Sequence, residues 1–134
     1  TRNLMQITKQ ADYALRAVRY LSRLSPGEKA STSAVAIAEN IPPSFLAKII
    51  AIIHAGILHT ARGARGGVYL SRPSKDISML DVVEAIDGPI LFNECTVNPD
   101  ICEFSSSCVL HAIWCETRDD LMRKLKQTTF AQFA

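Results

Sequence analysis

The chain has 134 residues, enough for one domain with a sizeable core, and 48% hydrophobic with 21% charged residues describe a globular protein rather than a disordered one. No apolar run reaches membrane-spanning length and the start lacks the pattern of a signal peptide, so the expected compartment is the cytoplasm, with no membrane partner. Net charge is only +2, yet residues 1–75 hold eleven Lys and Arg against three acids, and residues 76–134 hold four against ten. A basic front half is the electrostatic footprint of a polyanion binder, and the acidic back half is unsuited to phosphate.

In chain order, Thr8 caps a first helix running to about Leu24, with Ala11, Leu15, Val18 and Leu21 as its apolar stripe. Ser25, Pro26 and Gly27 end it. A second helix starts near Thr32 or Ser33 and uses Val35, Ile37 and Ala38 before Asn40. Pro42, Pro43 and Ser44 open a third, from about Ser44 to Ala55, with Gly56 expected as a left-handed stop. A short helix, a tight turn and a second helix form a helix-turn-helix.

Ile57 to Thr60 reads as a strand, residues 62–67 as a turn and Val68 to Leu70 as the returning strand. The glycines permit positive φ there, and the tip presents Arg62 and Arg65 with no acid, which suits a minor groove or phosphate contact. A hairpin alone is commonplace. After a helix-turn-helix in a basic segment, it is the wing of a DNA-binding domain.

Ser78 and Asp81 form a capping-box variant opening a helix to about Asp87, which Gly88 and Pro89 stop. A last helix runs from near Cys108 to about Gln127, its apolar side marked by Leu110, Trp114, Leu121 and Leu125. Twenty helical residues span about 30 Å. So long a stripe on so small a body is expected to pack against its copy in a twofold homodimer, which also sets two reading helices on successive turns of double-stranded promoter DNA. The fold class is therefore mainly α with a small β wing. Residues 1–75 form a winged helix-turn-helix region, and residues 76–134 form a cluster-binding loop and dimerisation helix, in one compact chain.

All four cysteines fall between Cys95 and Cys115. Residues 93–107 are polar and without helical or strand period, and thiols gathered in such a loop imply metal or redox chemistry. Six residues separate Cys95 from Cys102, five separate Cys102 from Cys108, and two separate Cys108 from His111. Thiolates suit zinc and iron–sulfur clusters alike; the close Cys108–His111 pair suits zinc, whereas the wide spacing of the first three lacks the compact knuckle of a zinc ribbon. Cys108, His111 and Cys115 share one helical face, with Cys115 read as a buried cysteine of the dimer helix. His54 and His59 are read as surface or DNA-side residues. No nucleophile elbow, phosphate loop or paired-carboxylate motif is present, so no enzyme is expected.

Three stretches together resemble the bacterial winged-helix iron–sulfur regulators that include IscR, NsrR and RirA: Met5-Gln-Ile-Thr-Lys-Gln-Ala-Asp-Tyr-Ala-Leu-Arg16, Arg62-Gly-Ala-Arg-Gly-Gly-Val-Tyr-Leu70 and Cys108-Val-Leu-His-Ala-Ile-Trp114. The resemblance extends from Met5 to about Phe133. It implies a homodimeric transcription factor that binds a two-iron or four-iron cluster through Cys95, Cys102 and Cys108, and senses iron–sulfur, redox or nitric oxide status. It implies His111 as the fourth ligand, with the partner's Asp12 as the alternative. It also implies that the helix from Ser44, with Lys48, enters the major groove and that Arg62, beside Arg65, enters the minor groove. Ala47 departs from the pattern: IscR-type members have a glutamate there, so their DNA element is not carried over. The rival readings are a cluster-free thiol-redox or zinc-dependent DNA-binding regulator and, less suited to the basic half, a small electron carrier.

Overall fold

The computed structural model describes residues 7–54, 56–63, 66–90 and 109–133. Helix α1 is Lys9–Ser22, and Thr8 caps it by accepting a hydrogen bond from the Ala11 amide at 3.1 Å. The same hydroxyl donates to Asp87 Oδ1 at 2.5 Å, and the Thr8 amide donates to Asp87 Oδ2 at 3.2 Å, so the cap also ties the start of α1 to a distant helix end. Ala11, Ala14, Ala17, Val18 and Leu21 turn inward at helical spacing.

Helix α2 is Thr32–Glu39, capped by the Ser31 hydroxyl, which accepts from the Ala34 amide. It closes with Asn40 in the left-handed region (φ 52°), the Ile41 amide reaching back to Ala36 O at 2.9 Å and the Asn40 amide to Ile37 O at 3.3 Å. This is a Schellman stop, and Ile41 is buried behind it. The apolar face differs from the expected one. Val35 and Ala36 are buried, while Ile37 is 81% exposed, because each helical residue turns about 100° and Ile37 therefore stands nearly opposite Val35.

Helix α3 is Pro43–Ile53, with proline in the first turn, where the missing amide costs no hydrogen bond. Its end corrects a second expectation. The helix stops at Ile53 with His54 extended (φ −60°, ψ 145°), and Gly56 is not in the left-handed region. Burial of Ile57 and Leu58 directs this turn, with the Ile57 amide still bonded to Ile53 O at 2.9 Å. Gly56 serves instead as an acceptor, its carbonyl taking hydrogen bonds from Ser71 Oγ at 2.9 Å and Arg72 Nη1 at 3.2 Å.

Strands β1 (Leu58–Ala61) and β2 (Gly67–Leu70) pair antiparallel in the register Leu58 to Leu70, His59 to Tyr69, Thr60 to Val68 and Ala61 to Gly67. Ala30 and Val68 exchange two backbone hydrogen bonds, at 3.1 and 2.7 Å, which anchors the hairpin to the segment before α2. Gly67 is required at that contact. Its φ is 151°, and a Cβ there would lie 2.5 Å from Ala30 O.

A 3₁₀ turn, Ser74–Asp76, leads to α4, Met79–Asp87. Its capping box is complete: the Asp81 amide donates to Ser78 Oγ at 3.1 Å and the Ser78 amide to Asp81 Oδ2 at 2.9 Å. Helix α5, Val109–Gln127, is followed by a 3₁₀ turn, Phe130–Phe133, that returns Phe130 to the main core beside Val18, Ile49, Leu58, Ile77 and Val82. The stripe of α5 divides. Leu121 and Leu125, with Met122, pack on Leu80, Val83 and Ile90 of the same chain, whereas Val109, Leu110 and Ile113 are exposed. Among the described residues, no single helix is long and apolar enough to cross a membrane.

Candidate nucleic-acid interface and sensing segment

The chain bends by 119° between α2 and α3, within the range of roughly 90–120° for a helix-turn-helix. Helix α3 turns Leu46, Ile49 and Ile53 inward and leaves Ser44, Phe45, Ala47, Lys48, Ala51 and Ile52 exposed. Both expected reading residues, Ser44 and Lys48, are thus on the solvent side of one short helix. Arg62 is exposed directly after β1, and Gly63 beside it takes φ 96°, as the hairpin turn demands. Arg65 lies outside the described residues.

One feature of this face was hidden within the apolar pattern. Phe45, which lies within the apolar run of α3, is an exposed aromatic whose ring meets Tyr13 of α1 edge-on at 5.8 Å. The Arg16 guanidinium stands 5.0 Å from the Tyr13 ring centre, Lys9 Nζ 5.8 Å from it, and Lys48 Nζ 5.9 Å from the Phe45 ring. Within each helix the spacing of i to i+3 or i+4 between cation and ring was visible in the sequence. The pairing across helices was not, since 31 residues separate Tyr13 from Phe45.

His54 and His59 sit together at the base of the wing, ring centres 6.0 Å apart, with His54 Nε2 3.5 Å from Thr60 Oγ1 and His59 against Tyr69. They remain wing and surface residues.

Of the expected ligands, Cys95, Cys102 and Cys108 lie outside the described residues. His111 is in the first turn of α5, and its Nε2 is 3.6 Å from Cys115 Sγ one turn on. Cys115 is half-buried rather than buried within this chain. Asp12 is mostly exposed on α1, 3.6 Å from Arg16 Nε. Among the described residues no three His, Cys, Asp or Glu side chains converge as a metal site. The stretch 91–108 leaves the described fold at Ile90 and re-enters it at α5. Arg118 Nε donates to Ile90 O at 2.7 Å, fixing the departure point against that helix. Arg118 lies nine residues after Val109, so departure and return are about 14 Å apart along α5.

The fold and this surface define a winged-helix DNA-binding protein. Residues 7–134 match the Rrf2 family, described as iron-dependent transcriptional regulators, and the chain belongs to that family. It is accordingly a DNA-binding transcriptional regulator and not an enzyme. It is 31% identical over 131 residues to an HTH-type transcriptional regulator of Mycobacterium tuberculosis, covering 97% of this chain and 81% of the relative. Among solved structures it is similar to CymR, the global cysteine regulator of B. subtilis (TM-score 0.78, 23% identity, 94% of this chain and 93% of the other). It is likewise similar to IscR of T. potens (TM-score 0.75, 21% identity, 94% and 83%). At those identities the two structures establish the shared fold.

Proposed function

We propose that the protein is a homodimeric cytoplasmic regulator whose affinity for promoter DNA is set by an iron–sulfur cluster. Cys95, Cys102 and Cys108 supply three thiolates, and His111 or the partner's Asp12 supplies the fourth donor. The donor chemistry fits: thiolates and imidazole are ligands of iron–sulfur centres, and the one described member of the histidine–cysteine set, His111, opens the helix that follows Cys108. Bound there, the cluster supplies an iron centre reactive toward oxidants and nitric oxide.

The observation that carries this reading is the division of α5. Its C-terminal half is covered by its own chain, while Val109 (73% exposed), Leu110 and Ile113 form a bare apolar face beside the cysteine stretch. A second copy covers that face, so the dimer contact and the ligand segment adjoin. Residues 1–75 contact DNA, and residues 76–134 sense and dimerise. Cluster binding by the cysteines between Ile90 and α5 then sets how the two reading helices are spaced, a coupling typically of about 1–3 kcal/mol.

A second reading, a cluster-free thiol or zinc regulator, is favoured by the closeness of Cys115 to His111 and by the similarity to a protein described as a cysteine regulator. The deciding experiment is visible absorption of protein purified without oxygen, with iron and acid-labile sulfide counted on the same sample. Comparable iron and sulfide in a brown protein support the cluster. A colourless protein, with zinc or with no metal, overturns it in favour of the thiol or zinc reading.

A further inference from the structure

The outward side of α3 is nearly bare of hydrogen-bonding groups. Positions 44, 47, 48 and 51, three and four residues apart, lie together on the exposed side opposite Leu46, Ile49 and Ile53. They carry one hydroxyl, one ammonium and two methyl groups: Ser44, Lys48, Ala47 and Ala51. Phe45 and Ile52, also exposed, flank them. Between α2 and α3 lies a hollow of about 250 Å³, lined by Ile37, Pro43, Leu46 and Ala47 together with Thr32 and Ser33. Ile37 is the most exposed large apolar side chain among the described residues, and the fold gives it no packing role.

Bases in the major groove are told apart by hydrogen bonds, with one exception: the C5 methyl of thymine is read by apolar contact. Arginine, asparagine, glutamine, aspartate and glutamate are all absent from Pro43–Ile53, so Ser44 and Lys48 are the only side chains of α3 able to hydrogen-bond a base edge. A bare apolar helix face can also suit a protein partner. Here the face lies in the basic front half, carries Lys48 and belongs to the helix-turn-helix of a DNA-binding family, so duplex DNA is the occupant that its charge favours.

We propose that α3 reads thymine. Ala47, with Ile37 beside the hollow, and Ala51, one turn further on, form a contact surface for thymine methyl groups, while Ser44 and Lys48 supply the polar contacts of this face. The inference rests on α3 being the element that enters the major groove.

The test begins with a random duplex pool, from which the purified protein selects its preferred sites. The selected site is then rebuilt with deoxyuridine replacing thymidine one position at a time. Uracil keeps every hydrogen bond of thymine and lacks only the methyl. At each contacted thymine the substitution should weaken binding about fourfold, the value of one buried methyl-sized group. The same replacement at a thymine outside the contacted positions should have no such effect. In Ala47→Gly the uracil penalty should disappear at one position of each half-site, and any general loss of helix stability cancels in the thymine-to-uracil ratio.

Uracil tolerated at every position, with Lys48→Ala still weakening binding, leaves α3 in the groove and overturns methyl reading. If neither uracil nor Ser44→Ala nor Lys48→Ala changes affinity, α3 is not the reading element and both claims fall. A pool with no enriched sequence likewise overturns the inference.

Discussion

Arg118 holds the carbonyl oxygen of Ile90 through its Nε at 2.7 Å, joining α5 to the last described residue before the cysteine stretch. Ile90 also packs on Leu80 and Val83, so the arginine completes a junction between two helices and the residue at which the described chain meets the cysteine stretch. Removal of this charge-assisted bond in Arg118→Ala should lower stability by about 1–3 kcal/mol, measured by urea unfolding. The same variant should retain less iron after gel filtration than the wild type. Unchanged unfolding and unchanged iron content would show that the bond fixes nothing.

Cys102→Ala should lose the visible chromophore while sedimentation still reports a dimer, since the bare face of α5 does not include it. Full cluster content in this variant would refute the ligand set Cys95, Cys102, Cys108.

Arg62 stands exposed at the wing with positive-φ Gly63 turning the chain beside it. Arg62→Ala should reduce affinity for a selected site by about 1–3 kcal/mol, with a smaller loss on random duplex. Titration at several salt concentrations separates the two roles: a change confined to the salt slope marks a phosphate contact only.

Gly67 meets Ala30 where the hairpin joins the body. In Gly67→Ala the new Cβ collides with the Ala30 carbonyl and the residue must hold φ near 151°. The expected loss is on the order of 3 kcal/mol, visible as a lowered Tm by circular dichroism. Gly27→Ala is the control, because its surroundings are open although its φ is also positive, so its loss should be smaller.

Much of this was legible in the amino-acid order, and the legible parts are local. Thr8 bonds to the amide three residues on, and Ser78 and Asp81 cap each other, so residue types at short spacing announce both helix starts. The wing was legible for the same reason, as glycines at a turn between two short apolar runs. Four cysteines within 21 residues are likewise a local signal, and they carry the proposal of a bound cluster.

What tertiary structure decided are contacts between residues far apart in the chain. Gly56 could have closed α3, but burial of Ile57 and Leu58 turned the backbone two residues earlier and made its carbonyl an acceptor for Arg72. Leu110 and Leu125 have the same local signature on α5, yet only Leu125 finds Leu80 and Val83 beneath it. Ile37 and Val35 are equally apolar, and the direction of the core alone leaves one bare and the other buried. A helix cap is satisfied within a single turn of the chain, where the sequence determines it; an apolar side chain is satisfied only by whatever the rest of the fold brings against it.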